Sequence, residues 1–566
     1  MKKAALLAFV LVLVSTAMIG RFIKPVEASG TIYIKANGSV VPDTAPISTT
    51  DNITYTFTDN INDSIVVERD NIVVNGAGYT LQGTGSGKGI DLTGRSNVTI
   101  KNMEIKAFGQ GIYLSGSSYN AISGNKITKN EEGIKLASSS NNTISRNNIT
   151  TNNWNGIRLA GGSSYNKISR NNMTKNDYGI NIEYSSYNNI SKNHLGNNFC
   201  GIELWDSSYN NVSSNIITSN NTIGISLYIS RNNRLRDNIM SNNTYNFGIL
   251  GWSLLDYVNH IDASNTVDGK PVYYWIRERN RDVPSDAGYV ALVNCTNISV
   301  KNLSLSNNGQ GVLLAITTNS AIASNDITNN NYGIWLYKSS NNRIYGNNLV
   351  ANRRSSIDLN DSSNNSIYHN NLVNNTISTT PNSVNAWDNG VEGNYWSNYN
   401  GTDLFSGPYQ NETGSDGIGD TAYEIDANNQ DNYPLMGTFS DFNATSEHRV
   451  QTICNSSISD FQFNGTAICF NVSGENVTAG FCRICILRAL MNETYKVFVN
   501  GTEVPYTLLP CSNTTHSYLY FTYNHSTQEV IIIPEFPTWT SILLILITLT
   551  VAIIIYKRKL LKTPIH

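Results

Sequence analysis

Glu183, Glu203 and Asp206 fall close together in the chain, and Lys135 and Arg158 occupy similar places in earlier, similar segments. Two carboxylates placed across a glycosidic bond are the minimum for hydrolysis. A basic group beside an acidic one is what proton abstraction from a sugar needs. Solvated charges on a repetitive surface account for the same residues, so they are the weaker, catalytic candidates. Trp205, Tyr228, Trp335 and Tyr337 recur at related positions and are the glycan-binding candidates. Aromatic faces next to Asn, Ser and acidic groups give an apolar surface for a sugar ring with polar partners at its edge. Asp416-Gly-Ile-Gly-Asp420, with Asp426 and Asp431, resembles a calcium loop, although it lacks the full Asp/Asn alternation and terminal Glu of an EF-hand. The segment reads first as the end cap of the solenoid, so no cofactor is expected, with a structural Ca2+ there as the alternative.

The elements that must position these residues come from a repeat. Gly-Ile-x-Leu, or a close variant, stands at Gly111, Gly133, Gly156, Gly179, Gly201 and Gly224, and again at Gly311 and Gly333. Steps of 22 to 24 residues separate these markers and the Asn-x-Ile-Ser-x-Asn segments that follow them, such as 142–147 and 188–193. Helical repeats would need a continuous 3.6-residue pattern, and leucine-rich repeats a denser Leu consensus. Short β-branched strands between Asn/Gly/Ser turns instead predict three strands per coil, with coils about 4.8 Å apart in parallel register. Ile190, Leu195, Ile202 and Leu204 should point inward, and Glu203 and Trp205 outward. Asn should hold the turns, tolerating left-handed backbone and bonding its equivalent one coil away. Residues 97–114 match 297–314 at an offset of 200, which sets two repeat blocks.

The predicted fold is therefore all-β: a parallel β-helix in two blocks, then a small β-sandwich and one transmembrane helix. Its divisions are a signal peptide (1–28), an N-terminal cap (29–64), block 1 (65–250) and an inserted loop or strand segment (251–288). Block 2 (289–380), a solenoid cap (381–439), the sandwich (440–533), a span (538–556) and a basic tail (557–566) follow. The first segment has Lys2 and Lys3 before an apolar run, as secretory signals do. The last apolar run ends at Lys557-Arg558-Lys559, which favours a cytoplasmic tail. The expected location is the outer face of the cell membrane. With 14% charged residues and a net charge of −3, the chain has no basic field for nucleic acid. Of the 7 cysteines, Cys454, Cys469, Cys482, Cys485 and Cys511 crowd into the sandwich segment, where an exported protein would form disulfides.

The Gly-Ile-x-Leu coils, Asp70–Leu81, Asn265–Trp275, Glu392-Gly-Asn-Tyr-Trp-Ser-Asn-Tyr399, Gly417–Asp420 and Asn429–Leu435 resemble archaeal NosD-type proteins over about residues 50–437. That resemblance implies a right-handed parallel β-helix and, by the family's description as periplasmic copper-binding, copper. Pro534-Glu-Phe536 before the apolar run resembles a PEF-type sorting signal. Copper favours converging His, Cys or Met. The histidines are scattered, and His194 with Cys200 is the single candidate pair in the coils. The functional expectation is a non-enzymatic display or binding module for extracellular polysaccharide, held to the membrane by its C-terminal helix. A polysaccharide lyase or hydrolase is the first alternative, and a copper accessory protein the second.

Overall fold

The structure, a computed structural model, describes residues 30–535 apart from 375, 477, 492 and 493, together with 546–556. The expected signal peptide and basic tail lie outside the described residues. The expected span is described only over 546–556, which is helical and exposed. Among the described residues no helix is long and apolar enough to cross a membrane.

Two units are distinguished, one reaching to Thr244 with Leu250–Trp252 added, the other holding Tyr245–Ile249 and the chain from Ser253 onward. In the first, each coil contributes three strands that pair in parallel with their equivalents. Gln110–Ser115, Glu132–Ala137, Asn155–Ala160, Tyr178–Glu183, Cys200–Trp205 and Ile223–Tyr228 form one such face. The register stacks Ile112, Ile134, Ile157, Ile180, Ile202 and Ile225 in a column with no exposed surface. Burying each such side chain stabilises the fold by about 1.5–3 kcal/mol before the compactness of the unfolded chain is allowed for.

The repeated glycine has a steric cause. A Cβ at Gly201 would lie 2.6 Å from the carbonyl oxygen of Gly224, and one at Gly133 2.5 Å from that of Gly156. Neighbouring coils approach too closely at that point for any side chain.

The corners are held by buried asparagine ladders. Asn193 Oδ1 accepts from the Asn171 backbone N–H and Nδ2, both at 3.0 Å. Its own Nδ2 donates to Asn215 Oδ1 and to the Ile168 carbonyl, again at 3.0 Å. Two further ladders run through Asn120, Asn142, Asn166, Asn188 and Asn210, and through Asn130, Asn152, Asn176, Asn198 and Asn221. The left-handed backbone falls on the residue before each ladder asparagine, as at Lys192, Arg170 and Ser214, and not on the asparagine. Asparagine is required here for its paired donor and acceptor, while the strained corner accepts Lys, Arg, Ser or Tyr.

The second unit repeats the coil with Tyr289–Val293, Gln310–Ala315, Tyr332–Tyr337 and Ser355–Asn360. Part of the expected insertion belongs to it. Lys270–Ile276 and Arg279–Asp282 pair in parallel with Tyr289–Val293 and Thr296–Lys301, so the segment forms a coil that lacks the Gly-Ile-x-Leu marker. Beyond the coils stand two five-stranded antiparallel sheets, which run from Thr438–Asn443 to Gln528–Pro534 around a core of Ile468, Val497, Leu519 and Ile532.

Candidate functional site

On the outer side of the first unit's long sheet, register defines the columns. Tyr113, Lys135, Arg158, Asn181, Glu203 and Ser226 form one. Glu183, Trp205 and Tyr228 form the next. Glu183 and Glu203 thus lie on adjacent coils but in different columns, because Glu203 sits two residues earlier in its strand. Arg158 donates to Glu183 at 2.7 Å and to Glu132 at 3.0 Å, and Lys135 pairs with Glu132 at 3.0 Å. Asn181 donates to Glu183 at 2.7 Å. Glu132, only 5% exposed, organises the cluster. It could have been found by reading the residue before each repeated glycine as a column of its own. An open cleft lined by Gln110, Glu131, Glu132, Lys135, Trp154 and Arg158 adjoins it.

Glu203 is the exception in this neutralised field. Among the described residues its carboxylate has neither a hydrogen bond nor an ion pair. Burial, and then the negative charge of Glu183, push its carboxyl up to about 7. The pH consequence follows in sign. A carboxyl raised in the folded state favours folding in its protonated form, so stability should fall as pH rises from about 4.5 through about 7. Denaturation midpoints measured across that window should show the decline in the wild type and a flatter profile in Glu203→Gln.

Beside Glu203 runs a ribbon of aromatic rings. Tyr184 and Trp205 are 6.3 Å apart between ring centroids, Trp205 and Tyr228 6.0 Å, and Tyr228 and Trp252 6.4 Å. Tyr184, Trp205 and Trp252 are exposed by 57%, 41% and 58%. Exposed apolar rings placed in a row on successive coils present a continuous face where isolated exposed residues would present none. Tyr184 escaped the sequence reading because it stands one residue past the column of Trp205, and Trp252 because its coil, with the strand Tyr245–Leu250, lacks the Gly-Ile-x-Leu tetrad. A second row, Tyr165, Tyr187 and Tyr209, stacks nearly parallel at 5.2 and 5.0 Å.

Several expected site residues are placed otherwise. Trp335 and Tyr337 are buried, at 7% and 3% exposure, and offer no binding face. Tyr332 packs on Trp335 at 4.4 Å, and Tyr257 packs on Tyr337 at 5.4 Å. The turn Leu254–Tyr257, within the expected insertion, thus covers part of that strand. Asp206 lies past its strand at an exposed left-handed corner.

The four aspartates of the calcium-like segment do not converge. Asp416 faces Arg483, and Asp420 accepts from the backbone of Leu404 and Phe405. Asp426 accepts from Asn429 and Thr379, and Asp431 from Trp396 and the Asn394 backbone. These carboxylates act as anchors for loop backbone and side chains. No group of three or more His, Cys, Asp or Glu suited to a metal occurs among the described residues.

Stacked parallel coils with a ladder at each corner define the class: a parallel β-helix repeat protein. More specifically, the chain belongs to the NosD family, described as periplasmic copper-binding protein, whose model matches residues 16–198, 152–269 and 276–401. Several solved structures are also similar. The tailspike protein of E. coli bacteriophage HK620, in complex with a pentasaccharide, is 11% identical over 84% of this chain and 87% of its own, with a TM-score of 0.34. An alginate lyase from Paenibacillus sp. is 14% identical over 52% and 94%, with a TM-score of 0.27. A mannuronan C-5 epimerase module from Azotobacter vinelandii is 12% identical over 54% and 90%, at 0.24. No curated protein matches the chain.

Among the described residues the copper of the family's description finds no matching donor set. His194 is exposed on the strand His194–Gly196 and bonded to Asn172 Oδ1 at 3.1 Å. Cys200 lies in another face of the coil, buried, with its thiol pushed up by desolvation and then by Glu203. The pair supplies two donors in different environments and no third ligand.

Proposed function

We propose that the protein is an exported, membrane-tethered surface protein whose first unit binds extracellular polysaccharide without cleaving it. The observation that carries this reading is the ribbon Tyr184–Trp205–Tyr228–Trp252, exposed except for the half-buried Tyr228 and spaced at about one ring per coil. An extended sugar chain can lie along such a row, with ring faces on the aromatics and hydroxyls toward Glu203 and Asn181. Export places the ribbon where such chains occur, and the apolar C-terminal run would keep it at the cell surface.

Binding to an array of acidic and neutral glycans tests the reading. Trp205→Ala and Trp252→Ala should each weaken binding at least tenfold, which is about 1.4 kcal/mol. Trp335→Ala, at a buried position, should change stability and leave the affinity of the folded protein alone. Retention of full affinity by a Trp205→Ala/Trp252→Ala double variant would remove the ribbon from consideration.

A cleaving activity is the second reading, favoured by one observation: the Glu203 carboxyl, raised by burial, lies beside Glu183, which pairs with Arg158. Environments that push two carboxyls apart are the arrangement of a proton donor and its partner. New reducing or unsaturated ends that appear with the wild type and vanish in Glu203→Gln, with binding retained, would establish it over simple binding.

A further inference from the structure

In the antiparallel sheet of the C-terminal unit, Cys454 and Cys482 are directly opposed partners on adjacent strands. Opposed residues of such a pair have Cα atoms about 4.5–5.5 Å apart. That spacing lies within the range of about 4.4–6.8 Å that a disulfide accepts. Both side chains are buried, at 1% and 0% exposure, and both are free thiols. The remaining cysteines of the sandwich are placed differently. Cys485 stands opposite Gln451 and Tyr518, Cys469 opposite Gln462 and Ile531, and Cys511 accepts from Arg483 at 3.5 Å. With no cluster of three metal-ligating groups among the described residues, paired thiols are better suited to each other than to a metal.

We infer that Cys454 and Cys482 form a cross-strand disulfide when the protein folds in an oxidising compartment, a setting taken from the proposed export. The step is thiol–disulfide exchange. The Cys454 thiolate attacks a low-molecular-weight or oxidoreductase disulfide and expels one thiolate. The Cys482 sulfur then attacks Cys454 in the mixed disulfide and expels the other. Two protein thiols and one disulfide become one protein disulfide and two thiols, with both protons leaving on the released sulfurs. Burial in the finished sheet places this exchange before the sandwich closes.

The surroundings suit both states. In the dithiol, the Cys454 thiol donates to the Phe481 carbonyl at 3.1 Å and touches the Tyr523 hydroxyl at 3.2 Å. Loss of the S–H leaves that carbonyl to Tyr523, whose hydroxyl already lies 3.4 Å from it. Ser456 bridges Tyr523 and His525 at 2.7 Å on each side.

The test is peptide mapping of full-length protein, denatured, reduced and refolded with glutathione disulfide, then alkylated without reductant. The expected product is a linked peptide pair containing Cys454 and Cys482, lighter by two hydrogens than the separate peptides. Reduction should lower the melting temperature of the wild type but not of Cys454→Ser/Cys482→Ser. Recovery of both residues as alkylated thiols, or of either one linked elsewhere, would overturn the assignment. Mapping of the wild type decides the matter even if the variant does not fold. It is also independent of glycan binding, so the two readings fail separately.

Discussion

Arg483→Met should destabilise the C-terminal unit by about 3–5 kcal/mol, the cost typical of removing one partner from a buried ion pair. Arg483 is 3% exposed and pairs with Glu392 at 2.7 Å and with Asp416 at 3.5 Å, while also donating to the Asp416 carbonyl at 2.9 Å. Glu392, itself buried, also meets His369 Nε2 at 2.8 Å, and His369 stacks on Phe439 at 4.1 Å. The network thus links the last coils to the strands of the sandwich. Burial alone would raise the Glu392 carboxyl, but the Arg483 charge and the His369 hydrogen bond outweigh it and hold the carboxyl at about 2.

The pH dependence follows from that depression. A carboxyl lowered in the folded state contributes stability above its unfolded value of about 4.5, and this contribution is lost as pH falls toward 2. In Arg483→Met the contribution should be absent and the trend reversed, because an unpaired buried carboxyl is better accommodated protonated. Guanidinium denaturation followed by near-ultraviolet circular dichroism at pH 4 and pH 7 separates the two profiles. Arg483→Met/Glu392→Leu should recover part of the loss. An Arg483→Met variant within about 1 kcal/mol of wild type at pH 7 would show that the network contributes little.

The second large effect is expected at a ladder asparagine. Asn193→Ala removes one acceptor serving two donors of Asn171 and one amide serving Asn215 and Ile168. Each buried group left without a partner costs about 1–3 kcal/mol, so a loss of about 3–5 kcal/mol is expected, with water entry into the gap setting the lower end. Asn189→Ala is the control. Its side chain is exposed, accepting only from Asn211 at 3.2 Å, and should change stability by less than about 0.5 kcal/mol. Hydrogen exchange should show the damage concentrated at coils touching residue 193, since each coil contacts only its neighbours. Equal effects at positions 189 and 193 would contradict the ladder account.

What the sequence made legible is what the repeat enforces. Ile202 and Leu204 are inward, Trp205 and Tyr228 share a column, and Asn193 bonds Asn215, because identical letters at a fixed spacing must stack. The site was legible only where it coincided with that spacing. Glu132 was missed because it precedes the repeated glycine, Tyr184 because it is one residue out of the Trp205 column, and Trp252 because its coil lacks the tetrad. Trp335 and Tyr337 looked equivalent to outward positions in other coils. Their burial depends in part on Tyr257, remote in sequence and outside the period, so no pattern within the coil announces it. Arg483, Glu392, His369 and Asp416 are scattered single letters, and only folding makes them a network.

The asparagine ladders also bear on how such a chain changes length over generations. Every coil offers the same acceptor to the coil before it and the same donor to the coil after it, so its two faces are plug and socket. A duplicated or deleted stretch of one whole coil therefore rejoins with all its buried partners in place. A one-residue insertion or deletion inside a strand turns that strand's inner residues outward and shifts the corner asparagine out of line with its ladder. Tolerated variation in length should come in whole coils or sit outside the ladder corners, where a step of 24 residues, as between Asn142 and Asn166, already stands beside steps of 22.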